Sequence, residues 1–193
     1  MNSDLEPLRR LLASRRSTPA RQLGGAAPDR RTIERMVSQA LRVPDHGKLQ
    51  PWRILILQGE VRQAFSAWLL ERRAAQQPPV SQALIDKDRQ KLTSAPLVLV
   101  VISRITDTTR IPEIEQLLSG GCVCFSLLLA AQSEGLGAQW LTGWAAYDRG
   151  VADKLGLDSA ERILGFIHVG QCQEEAPDRL RPVLAEHLQE WNP

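Results

Sequence analysis

Apolar residues return at helical intervals from the start of the chain. Leu5, Leu8, Leu11 and Leu12 fall on one side of a helix predicted over residues 4–14, which Ser17-Thr18-Pro19 stops. Asp29 can cap a second helix over residues 30–42, with Ile33, Met36, Val37, Ala40 and Leu41 as its apolar face. Pro44 ends it and opens a polar loop from Asp45 to Gln50. Residues 53–58 contain Ile54-Leu55-Ile56-Leu57 and read as a buried strand, followed by helices over 60–76 and 81–93. After Pro96 the run LVLVVIS carries four β-branched residues in seven and predicts a second buried strand. A long helix follows from Glu113 to Ser133. Its second half, Cys122 to Ala131, is apolar almost all round, which predicts enclosure on every side. Glu134-Gly135-Leu136-Gly137 ends that helix, and Ala138–Leu141 reads as a short strand, 148–156 as a short helix and Ile163–Val169 as another strand. The tail after Pro177 fits either a helix or an extended arm. There is no internal repeat, low-complexity tract or linker, so the pattern implies one α+β domain over residues 1–193.

Composition narrows the class. At 43% hydrophobic and 24% charged residues, the 193-residue chain has the make-up of an ordinary soluble globular domain. A formal charge of +2 is too small to argue for nucleic acid. The arginines are unevenly spread, however. Arg9, Arg10, Arg15, Arg16, Arg21, Arg30 and Arg31 face only Asp4, Glu6 and Asp29 in that part of the chain. Such an excess suits a small anion as well as a polyanion, and equally a solvated basic face. Cys122, Cys124 and Cys172 make an odd count without CxxC spacing, which fits core thiols in a reducing cytoplasm. The N-terminus lacks the apolar stretch of a secretory signal, and the expectation is that no uncharged run reaches the ~18 apolar residues of a membrane span. Cytoplasmic location without membrane contact is the expectation.

Three segments carry candidate chemistry. Arg15-Arg16-Ser17 follows a helix and offers the charge-assisted donors that a terminal phosphate needs, although Arg pairs at helix ends also answer the helix dipole. The loop VPDHGKLQPW places His46, Lys48 and Gln50 between a helix and a buried strand, where they can meet the carbonyls and ring nitrogens of a polar heterocycle. Each of the three taken alone also fits a capping or solvated surface residue. The segment LAAQSEGLGAQWLTG pairs glycines, which permit close approach of a flat ligand, with Trp140 and then Trp144 as broad apolar surface. By itself it also fits a helix C-cap followed by a strand.

In order and spacing, these segments resemble the nitroreductase family of FMN-dependent oxidoreductases over roughly residues 8–185. The matching features are the RRS phosphate segment, the P-x-x-x-x-x-Q-P-W loop and the LAA-x-x-x-GLG-x-x-W helix-to-strand segment. The PDH-x-x-x-QPW form is most like the family's short single-domain branch. The resemblance implies a nitroreductase-like fold: a central, mostly antiparallel sheet flanked by helices in an intertwined homodimer. It implies that Arg15, Arg16 and Ser17 hold the FMN phosphate and ribityl end. It further implies that Arg42 and His46 contact the flavin of the partner subunit, and that Trp140, Leu141 and Thr142 lie along the cofactor. Two departures stand out. Lys48 replaces the Asn of many relatives, and Trp140-Leu141-Thr142 replaces a Trp-Arg-Ser sequence and so lacks its charge.

The function that follows is transfer of electrons from NADH or NADPH through FMN to a nitroaromatic, quinone or similar small-molecule acceptor, by a ping-pong cycle. No catalytic side chain is assigned, because the flavin carries the hydride chemistry. No metal site or GxGxxG fingerprint stands out. The alternatives are a flavin-binding sensor or store without turnover, and a nucleic-acid module built on the arginine-rich N-terminus. A homodimer with flavin sites at its interface is the expected assembly.

Overall fold

The computed structural model describes residues 5–106, 110–174 and 176–192. Its sheet is built around β3 (Leu97–Arg104), the LVLVVIS run. This strand pairs antiparallel with β2 (Trp52–Gln58) on one side and with β5 (Glu161–Cys172) on the other. Both faces of β3 are covered, which explains a continuous apolar run without polar alternation. Leu97, Leu99 and Val101 join one core, while Val98, Val100 and Ile102 join a second core on the opposite face. The other edge of β5 pairs antiparallel with β4 (Gly137–Leu141), and its last residues pair with β1 (Leu23–Gly24). An antiparallel sheet flanked by helices is therefore the architecture, as expected.

Helices α2 (Arg30–Ala40) and α5 (Glu113–Ser133) cover the first face. Ile33, Met36 and Ala40 of α2 meet Val123, Cys124, Leu127 and Leu128 of α5 there. The predicted cap is present, since the Asp29 carboxylate accepts from the Thr32 amide at 2.7 Å. Helices α3 (Gly59–Ala74), α4 (Gln82–Ser94) and α6 (Arg149–Lys154) lie in the region of the second face. Phe65, Leu69 and Val151 pack there against Val100 and Phe166. Helix α1 (Glu6–Ser14) stands in front of the first strand, and Asp4, where it was predicted to begin, lies outside the described residues. The short β1 had no pattern long enough to reveal it, and β5 extends beyond the predicted Ile163–Val169 at both ends.

Some expectations are corrected, and one is met only in part by a single chain, within which helix α5 is covered on one side. Val123, Cys124, Leu127 and Leu128 are buried, whereas Ile114, Leu118, Cys122 and Phe125 form an exposed stripe one turn apart. Of the three cysteines, only Cys124 is a core thiol; Cys122 and Cys172 are exposed. Helix α5 also has the length and apolarity of a membrane span, with mean hydropathy 1.6, contrary to the sequence expectation. Half of that window is buried inside the protein, where Val123, Cys124, Leu127 and Leu128 pack in the core shared with the sheet and α2. The apolar side of α1 is open as well, with Leu5, Leu8 and Leu12 all about half exposed. Of the two readings of the tail, the extended arm is the one found among the described residues. A single 3₁₀ turn, Leu184–Glu186, interrupts an exposed extended run that carries Leu180, Val183, Leu188 and Trp191.

Candidate functional site

The Arg15-Arg16-Ser17 segment leaves α1 in extended form and runs beside β4. The Thr18 amide donates to the Ala138 carbonyl at 3.0 Å, and the Ala20 amide donates to Gln139 Oε1. This anchoring fixes the three residues next to the strand that carries Trp140 and Leu141. Arg15 donates to Ser17 Oγ at 3.4 Å, and Arg16 Nε donates to the Pro177 carbonyl at 3.0 Å. The second contact draws in the C-terminal tail. There Arg181 donates to the Arg15 carbonyl at 3.4 Å and to the Asp178 carboxylate at 2.7 Å.

Four guanidiniums thus converge, from Arg15, Arg16, Arg179 and Arg181. Burial, followed by the positive charges of Arg181, Arg179 and Arg16, pulls the Arg15 pKa below the ordinary arginine value. Hydrogen bonds from the Arg179 amide and the Arg181 guanidinium hold the Asp178 carboxyl below its usual range. Asp178 offsets one of the four charges, and the positive excess that remains favours an anion with several acceptor oxygens, a donor set that a terminal phosphate fits. Arg179 and Arg181 were missed in the sequence. The available signal was the basic triplet Arg179-Leu180-Arg181 between Pro177 and Pro182, in a tail without periodicity.

The second candidate loop is held on α5. The Asp45 carboxylate accepts from the Leu49 and Gln50 amides, at 3.2 and 2.9 Å. Lys48 and Gln50 adopt φ of 55° and 49°, a left-handed conformation uncommon for non-glycine residues, and the Asp45 carboxylate helps to hold it. Trp52 Nε1 donates to Ser119 Oγ at 3.2 Å, and Ser119 donates to the Pro44 carbonyl at 2.7 Å. His46 Nδ1 lies 2.7 Å from Glu115 Oε2, which fixes the ring on α5 and leaves Nε2 for another partner. Arg42, His46, Lys48 and Gln50 are all exposed, beside the open stripe of α5. The resemblance assigns Arg42 and His46 to the flavin of the partner subunit, apart from Arg15–Ser17 of their own chain. Within one chain, the contacts of the loop run to α5, while those of Arg15–Ser17 run to β4 and the tail.

Trp140, next to last in β4, is partly exposed, with Nε1 donating to the Leu164 carbonyl at 3.0 Å. Its indole lies over Gly165, where a Cβ would collide with it, so this glycine makes room for the ring. Gly143, with φ of 57°, turns the chain after Thr142. Thr142 borders two cavities. One of about 440 Å³ is also lined by Tyr147, Arg162 and Leu164, and one of about 260 Å³ by Lys91, Leu141, Trp144, Phe166 and His168. Among the described residues no cluster of His, Cys, Asp and Glu is arranged to hold a metal ion.

The arrangement is an antiparallel sheet with a long helix on one face, a cluster of arginines beside β4 and a tryptophan near that strand's end. The chain belongs to the nitroreductase family, whose model matches residues 12–171. YdjA of Escherichia coli K12 is 32% identical over 86% of this chain and 88% of its own length. A relative from Haemophilus influenzae is 28% identical over 90% and 92%. Both carry names proposing NAD(P)H nitroreductase activity. The solved nitroreductase-like protein of Bacillus cereus superposes with a TM-score of 0.78 at 23% identity, over 94% of each chain. A single-site variant of the FMN- and NADPH-dependent nitroreductase NfnB, from Sphigopyxis sp. strain HMH, superposes with a TM-score of 0.74 at 25% identity, over 94% and 97%.

Proposed function

We propose that this chain is an FMN-dependent oxidoreductase that passes electrons from NADH or NADPH to nitroaromatic, quinone or similar small-molecule acceptors. The observation that carries the reading is the convergence of Arg15, Arg16, Arg179 and Arg181, where burial and like charge depress the Arg15 pKa. A dianionic phosphate relieves that repulsion. Ser17 adds a neutral donor, and Trp140, Leu141 and Thr142 supply an apolar and polar wall for the ring. Bound there, FMN supplies hydride transfer in both half-reactions. The protein residues bind and orient it, and no side chain is assigned a chemical step. Names of relatives, which pair nitroreductase with NAD(P)H and, for NfnB, with FMN, support the same assignment.

The whole chain serves as one domain, and two copies complete two sites. Ile114, Leu118, Cys122 and Phe125 on α5, with Leu41 and the apolar side of α1, give an uncovered face of the kind that self-association buries. In such a dimer Arg42, His46, Lys48 and Gln50 reach the flavin of the other subunit, and the exposed apolar tail wraps the partner. The setting is the cytoplasm, consistent with three unpaired cysteines.

The test begins with an absorbance spectrum of the purified protein with added FMN, followed by NADPH under argon. Bound flavin should bleach, and an acceptor should restore it through many turnovers, which separates an enzyme from a flavin sensor or store. Failure to bind FMN ends the assignment. Sedimentation with flavin absorbance should show a dimer over a wide dilution range. A 21.5 kDa species that keeps its FMN would end the shared site.

A further inference from the structure

His168 sits in the middle of β5, paired with Val98 of β3 on one side and Gln139 of β4 on the other. Its side chain is 2% exposed, and Nδ1 is buried with no hydrogen-bond partner. Leaving such a nitrogen unsatisfied costs about 1–3 kcal/mol, so an orphan of this kind calls for an explanation. Neighbouring polar groups are already engaged. Gln139 accepts from the Ala20 amide, Arg62 donates to the Leu92 and Thr93 carbonyls, and Asp88 pairs with Arg73 at 3.1 Å and with Lys91 at 3.8 Å. His168 is among the residues that line the cavity of about 260 Å³ whose wall includes Leu141 and Thr142.

Burial, and secondarily the charge of Arg62, push the His168 pKa down to about 4. At neutral pH the ring is therefore uncharged, with one nitrogen donating and the other accepting. The pyrimidine edge of a flavin presents two carbonyl acceptors on either side of an imide N–H. Either tautomer of His168 finds a match on that edge. Trp144 and Phe166 give the cavity aromatic walls suited to a flat ring.

Resting on the FMN reading above, we infer that His168 hydrogen-bonds the polar edge of the flavin ring through this cavity and so helps to position the cofactor. It acts on the ring, whereas the arginine cluster acts on the phosphate. The two contributions are therefore separable by ligand.

The experiment measures FMN and riboflavin affinity for wild type, His168→Leu, His168→Asn and Arg16→Ala. His168→Leu should weaken both ligands by the same factor, about 5- to 50-fold for a buried polar group left unpaired. It should also shift the visible flavin band. His168→Asn keeps an amide near the Nδ1 position and should recover most of the affinity. Arg16→Ala should weaken FMN and spare riboflavin. In wild type, whose three histidines can be told apart with the His168→Asn variant, FMN should move the His168 imidazole ¹⁵N resonances. This last readout needs no variant to fold. Equal flavin affinities in wild type and His168→Leu, or unmoved ¹⁵N resonances at saturating FMN, overturn the inference and leave the FMN reading standing. A wild type that binds neither flavin overturns both.

Discussion

Two arginine clusters in this molecule shift in opposite directions. Arg53 and Arg104 surround Glu161, whose side chain is only 4% exposed. Arg53 meets its two oxygens at 2.6 and 2.7 Å, and Arg104 approaches at 3.6 Å. Arg53 is raised and Glu161 lowered, each chiefly by their mutual hydrogen bonds. At the other cluster Arg15 is lowered, first by burial and then by Arg181, Arg179 and Arg16. A cluster that supplies its own counter-charge is complete in the folded chain and serves stability. One in which four guanidiniums share the single exposed carboxylate of Asp178 keeps an excess of positive charge and forgoes stability for an anion that must come from outside.

The largest expected effect breaks the completed cluster. Glu161→Ala removes the acceptor from Arg53, whose side chain is 26% exposed, and should cost about 2–3 kcal/mol, below the full range for buried pairs because Arg53 keeps some water. Urea denaturation of the apoprotein measures it. FMN affinity of the folded fraction should stay unchanged, and a loss of less than 1 kcal/mol would show that Glu161 holds little together. The pH dependence follows from the lowered carboxyl. Its contribution is fully present above the unfolded glutamate pKa of about 4.3 and is lost as pH falls through the lower folded value. The Glu161→Ala variant should therefore lose less stability than wild type on acidification in that window.

Next in size is the open cluster. Arg16→Ala or Arg181→Ala should weaken FMN about 10- to 100-fold, the worth of a charge-assisted hydrogen bond of roughly 1.5–3 kcal/mol. Urea stability of the apoprotein should barely change, because these guanidiniums have no buried carboxylate to abandon. A variant that loses stability while keeping its FMN affinity would make the two clusters alike and remove the distinction.

The completed parts of the molecule were the legible ones. Helix α5 was bounded from its sequence at Glu113 and Ser133, and β3 from its β-branched run, because periodicity and burial act on neighbouring residues. Arg15-Arg16-Ser17 was legible for the same reason, being a local motif. Arg179 and Arg181 were not, since their approach depends on a tail with no repeating pattern that folds back over 160 positions away. The exposed side of α5 was legible as apolar and too extensive for one domain to cover, which is what led to the expected homodimer, although composition does not record which chain covers it. Phe125 satisfies the pattern equally well against its own sheet or against a second copy. His168 escaped notice inside an apolar strand, where a single imidazole does not disturb the hydrophobic signal.

The smallest effect sharpens the comparison without altering any residue of the cluster. Inorganic phosphate has the charge and oxygens of the FMN terminus but none of the ring, so it should bind the apoprotein weakly at Arg15, Arg16, Arg179 and Arg181. At ten times its dissociation constant, a ligand specific for the folded state adds about 1.4 kcal/mol. For a chain of this size that raises Tm by about 3–5 °C. Chloride at matched ionic strength screens the repulsion among the guanidiniums but cannot bridge them, and should give a smaller rise. The rise should persist in Glu161→Ala, whose arginine cradle is intact, and disappear in Arg16→Ala. Scanning calorimetry of the three apoproteins in phosphate and in chloride distinguishes these cases. If phosphate and chloride raise Tm equally, or if Arg16→Ala responds like wild type, then the arginines gathered at Arg15 screen charge without forming a phosphate site.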